Sequence, residues 1–141
     1  MTENTFECPK YAWVALIVIG IINLFRGFMH TFFLEWAATN IASLDLSVVR
    51  DDQLFQMMNY GVTNYLEGII FILVAFKARN LVPSMLLLAF IFPIFPGMLF
   101  LNLLQLHPTA AWSGGSLLPF LYLPISAIPL TVLYFHRRSS R

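Results

Sequence analysis

Four long apolar runs are separated by short polar stretches along the chain. They cover about residues 11–34, 54–76, 81–106 and 117–135. Each approaches or exceeds the roughly 20 residues needed to cross a bilayer core of about 30 Å. The runs are continuous, whereas the strands of a membrane barrel alternate and are shorter. A helix satisfies its own backbone groups in lipid. The pattern therefore predicts an all-α fold: a single integral membrane domain, 1–141, built as a four-helix bundle.

The polar stretches supply boundary signals. Pro9 precedes the first run. Ser47 is a candidate cap for the second, with Asp51 and Asp52 where a helix dipole favours acids. Lys77 and Arg79 close the second run, and Asn80 is placed to cap the third. The largest loop runs from Glu35 to Arg50. In it, Ile41, Leu44 and Val48 have the spacing of a short interfacial helix. Pro93, Pro96 and Gly97 in the third run, and Pro119, Pro124 and Pro129 in the fourth, predict bent helices.

Basic residues set the orientation. Lys10, Lys77, Arg79, Arg137, Arg138 and Arg141 fall on one predicted side, while the other holds Arg50 beside Glu35, Asp45, Asp51 and Asp52. The positive-inside rule then puts both termini in the cytoplasm. The expected location is a cell membrane, plasma or inner.

Composition agrees and removes several function classes. Hydrophobic residues make up 59% of the 141 and charged residues 11%. A soluble domain carries about 45–50% and about 25%. Net charge is +1, and there is no basic stripe, so nucleic acid is not expected as a partner. The lone Cys8 excludes an intrachain disulfide. No cofactor fingerprint or metal-ligand spacing is present, and none is expected.

Candidate chemistry lies inside the first two runs. Arg26 and Glu67 are ionisable groups deep in apolar segments, where an arginine costs about 2.5–3.5 kcal/mol on insertion scales. At 100° per residue, Gly20, Asn23, Arg26, Gly27 and His30 share one face of the first helix. Gln53, Gln56, Tyr60, Asn64 and Glu67 form a stripe on the second. Two readings of Arg26 with Glu67 stand side by side: an ion pair that locks two helices, or a ligand or proton site. His30 is either an interfacial hydrogen-bonded residue or a proton relay. One histidine and one carboxylate fall short of a zinc site, and a contribution from His107 rests on its placement.

The expected function is binding of a small lipid-like or amphipathic ligand, or of a partner membrane subunit, besides contact with membrane lipids. The binding set is Asn23, Arg26, His30, Tyr60, Asn64 and Glu67, in a site opening away from the cytoplasm. Arg26 would meet an anionic or carbonyl group. One alternative is a membrane-embedded enzyme of isomerase or hydrolase type on a lipid-soluble substrate. There, Glu67 or His30 would handle protons and Arg26 would stabilise negative charge. The other is an oligomeric proton-coupled transporter with Glu67 as the coupling group.

Overall fold

A computed structural model describes residues 8–47, 49–91, 94 and 121–139. The described residues are helical, with no strand among them. Among them five helices follow in order: α1 Lys10–Phe32, α2 Leu34–Asn40, α3 Arg50–Lys77, α4 Val82–Ile91 and α5 Tyr122–Ser139, with a 3-10 turn at Arg79–Leu81 before α4.

At 1.5 Å per residue, α1 and α3 are about 34 and 42 Å long, and both are long and apolar enough to cross a membrane. The apolar helices Arg79–Ile91 and Tyr122–Phe135 are shorter. Four spanning helices therefore exceed what the described residues contain. The expected continuation of the third helix to residue 106 lies outside them, apart from Ile94. So do residues 117–120 of the fourth, with Pro93, Pro96, Gly97, His107 and Pro119. Pro129 sits inside α5, where it withholds one backbone donor.

α1 is the central element. One face lies along α3, and the other meets α4 and α5. Glycines set the α1–α3 contact. A Cβ on Gly68 would sit 2.7 Å from the Gly20 carbonyl oxygen, and one on Gly20 would sit 3.0 Å from the Gly68 carbonyl. Gly27 and Gly61 oppose each other in the same manner seven residues on. The order of these pairs makes the two helices antiparallel. Small residues allow close backbone approach, which suits lipid, where apolar burial drives nothing. A seven-residue spacing keeps two crossing helices in step.

Two apolar clusters bracket this contact. Ala12, Leu16, Ile19, Ala75, Val82, Leu86, Ala89, Tyr122 and Leu133 form the larger one. At the same end, the Arg79 guanidinium lies 4.9 Å from the centre of the Trp13 ring, a cation–π distance. Ala37, Ala38 and Met57 form the smaller cluster at the opposite end.

That opposite end corrects two expectations. The chain breaks at Phe33 and resumes helix as α2 at Leu34–Asn40, earlier than the predicted segment around Ile41–Val48. Ala37 and Ala38 decide the place, because both are fully buried and their small side chains let α2 lie flat on α3. Ser47 does not cap α3. Val49 holds the cap position with a left-handed backbone, φ 49°, and the Ser47 N–H instead donates to Asp45 Oδ1 at 2.9 Å. Arg50 ties α2 to the start of α3 through Glu35 at 2.8 Å. Asn80 lies within the 3-10 turn rather than capping α4 from outside.

Candidate functional site

The two long helices expose many large apolar side chains and bury an asparagine each. On α3 the buried residues are Met57, Gly61, Asn64, Gly68 and Ala75, while Leu66 is 60% exposed and Leu73 53%. On α1, Asn23 is fully buried while Phe25 is 63% exposed.

The glycine pairs fix the register, and the register decides which polar groups meet. Gly27 opposite Gly61 puts Arg26 level with Val62, and Gly20 opposite Gly68 puts Glu67 level with Ile21. The two charged residues are thus five helical residues apart along the axis, about 7.5 Å. They form no ion pair: among the described residues the ion pairs are Arg50 with Glu35 and with Asp51. The Arg26 charge still acts on Glu67 through space.

Arg26 has another partner. Its Nη1 donates to the Tyr122 hydroxyl at 3.3 Å, and that hydroxyl donates to Asn23 Oδ1 at 2.6 Å. Tyr122 is itself buried at the first turn of α5. One phenol thus gathers Asn23 and Arg26, which stand almost one helical turn apart on α1. The amide nitrogen of Asn23 is buried with no hydrogen-bond partner among the described residues. Tyr122 was absent from the sequence-based set. Its only signal was a hydroxyl in an apolar run, and nothing local distinguished it from an interfacial tyrosine.

A second polar group stands nearer the α2 end. The Asn64 amide nitrogen approaches His30 Nδ1 at 3.5 Å. Beside it, the hydroxyls of Thr31 and Tyr65 share a hydrogen bond of 3.0 Å. Here α1, α3 and the segment after α2 enclose a cleft of about 270 Å³. His30, Ala42, Leu44, Gln53, Gln56, Met57 and Tyr60 line it. Tyr60 is 66% exposed and stands at the cleft rather than within the helix contact.

The expected single cluster is therefore two. Asn23 and Arg26 join Tyr122 at mid-depth, within the field of Glu67. His30, Asn64 and Tyr60 gather around the cleft. His30 lies level with Met58 by the glycine register, nine helical residues from the level of Glu67, or about 13 Å. One small substrate does not reach both proton-handling candidates. No group of three or more possible metal ligands occurs among the described residues.

No family model, curated protein or solved structure matches this chain.

Proposed function

We propose that the chain is a multi-pass membrane protein. Its site, between α1 and α3, binds the polar end of a small lipid-like or amphipathic molecule. The large apolar side chains exposed along α1 and α3, Phe25, Leu66 and Leu73 among them, support the membrane reading, because an apolar surface of this extent suits an apolar surrounding. The lengths of the two helices support it too. Both termini face the cytoplasm in this reading, and the cleft opens on the other side of a cell membrane.

The single observation that carries the ligand reading is the cleft. It combines apolar walls from Ala42, Leu44 and Met57 with the polar groups of His30, Gln53, Gln56 and Tyr60. Binding sites have this make-up: an apolar concavity with a few placed polar groups. A partner subunit and a proton-coupled carrier have no comparable feature in their favour. The enzyme alternative, with Glu67 or His30 handling protons, has no comparable feature in its favour either.

Native mass spectrometry of the protein, purified from its membrane in mild detergent, tests the proposal. A small molecule that copurifies with the wild type and is lost from His30→Ala supports it. Retention of that molecule by His30→Ala, or a bare protein in both forms, counts against it. Recovery of the protein in the soluble fraction removes the membrane reading.

A further inference from the structure

We infer that the molecule taken up by the cleft has an uncharged, hydroxyl- or amide-bearing head, and that Arg26 takes no part in its recognition. The inference rests on the ligand reading proposed above and narrows its chemical class.

The lining comes first. Its polar members are His30, Gln53, Gln56 and Tyr60, and among the described lining residues there is neither a carboxylate nor an arginine or lysine. An anion in a low-dielectric setting needs a partner charge, and so does a cation. The cleft supplies neither, and it does supply neutral donors and acceptors. The Asn64 amide lies 3.5 Å from His30 Nδ1, and a neutral imidazole there brings one donor and one acceptor nitrogen.

The surroundings argue the same way against an anion. Asp45 follows the lining residue Leu44, and Asp51 and Asp52 precede the lining residue Gln53. The nearby cation Arg50 is already engaged by Glu35 at 2.8 Å and Asp51 at 3.2 Å. These flanking positions therefore offer a carboxylate or phosphate no unengaged cation. Arg26, expected to meet an anionic or carbonyl group, is not among the described lining residues and donates to Tyr122.

Size narrows the class further. About 270 Å³ lies just below the roughly 300–1,000 Å³ of sites that enclose a whole drug-sized ligand. At a share of about 30 Å³ per water, that is room for about nine waters, enough for a glycerol-sized head and the start of its acyl chain, the rest of which is left to the surrounding lipid.

The test compares three amphiphiles that share one acyl chain: monooleoylglycerol, oleate and oleylamine. Each is titrated onto the full-length protein in mild detergent, and binding is read by native mass spectrometry. The variants are Gln56→Leu and Arg26→Gln. Gln56 is exposed, so its replacement leaves the helix contact intact; an unchanged thermal midpoint checks this. The expected result is one monooleoylglycerol per chain, bound at least tenfold more tightly than either charged probe. Gln56→Leu weakens it at least tenfold and Arg26→Gln leaves it within twofold. Tighter binding of oleate, or loss of binding in Arg26→Gln, overturns the uncharged-head inference and leaves the ligand reading standing. Tighter binding of oleylamine does the same. Failure of all three probes to bind overturns both.

Discussion

The Tyr122 hydroxyl donates a 2.6 Å hydrogen bond to the side-chain oxygen of Asn23, joining α5 to α1 across 99 positions of sequence. Asn23 is fully buried and Tyr122 is 6% exposed, so neither group has water to fall back on. Removing the phenol strands a buried acceptor, which costs about 1–3 kcal/mol. We expect Tyr122→Phe to lower stability by that amount in chemical unfolding from detergent micelles. Loss under about 0.3 kcal/mol would show that the bond contributes nothing net.

Arg26 shares the same hydroxyl, and this sets up a contest between two couplings. A double-mutant cycle of Arg26→Gln with Tyr122→Phe is expected to show an interaction of about 0.5–2 kcal/mol. The cycle of Arg26→Gln with Glu67→Gln is expected to show less, because the two charges act only through space. The reverse order would restore the Arg26–Glu67 ion pair, one of the two readings the sequence left open.

Close approach at the glycines makes a sharper demand. A methyl group on Gly68 meets a backbone oxygen at 2.7 Å, and no rotamer change relieves that contact. Overpacking typically costs about 1–3 kcal/mol. Gly68→Ala should therefore lose about that much stability and spread α1 from α3. Distances between spin labels on the two helices would register the spread, and unchanged distances with wild-type stability would refute the register.

Val49 holds the opposite kind of opportunity. It is a β-branched residue with φ 49°, and it is 60% exposed. The left-handed region costs an ordinary residue roughly 1–2 kcal/mol, while asparagine tolerates it. Val49→Asn is expected to stabilise the protein by about 1 kcal/mol, read as a raised thermal midpoint. A lowered midpoint would mean that the side chain packs against something.

Cys8 is the only cysteine in the chain, which makes it a natural topology probe. Burial pushes its thiol above the ordinary range, and the nearby Arg79 charge partly offsets this. Thiolate is the reactive form. Labelling by a membrane-impermeant maleimide should therefore be slow at neutral pH and rise through the alkaline range. Arg79→Gln should slow it further. On the proposed topology, labelling in sealed cells appears only after the membrane is opened. Prompt labelling of intact cells would invert the orientation.

How much of this was legible in the chain can be judged residue by residue. The apolar runs gave α1 and α3 within a few residues, because the need to satisfy backbone groups in apolar surroundings leaves little choice but helix. Helical periodicity put Asn23, Arg26 and His30 on one face and Tyr60, Asn64 and Glu67 on another. That much depends only on 100° per residue. Which of them meet was not legible, since facing stripes can slide past each other. An ion pair of Arg26 with Glu67, one of the two readings open from the sequence, does not form in this register.

The sequence by itself determined composition, helical periodicity and the lopsided charge of the two ends. These are local properties, set by side-chain chemistry and a fixed rise per residue. Only the tertiary structure decided the register, through the steric fit of Gly20 on Gly68 and Gly27 on Gly61. Only it brought Tyr122, from a distant part of the chain, between Asn23 and Arg26. Only it parted the polar stripe into a bonded centre and an open cleft. Contacts of that kind depend on how two surfaces interlock, and no local rule specifies them.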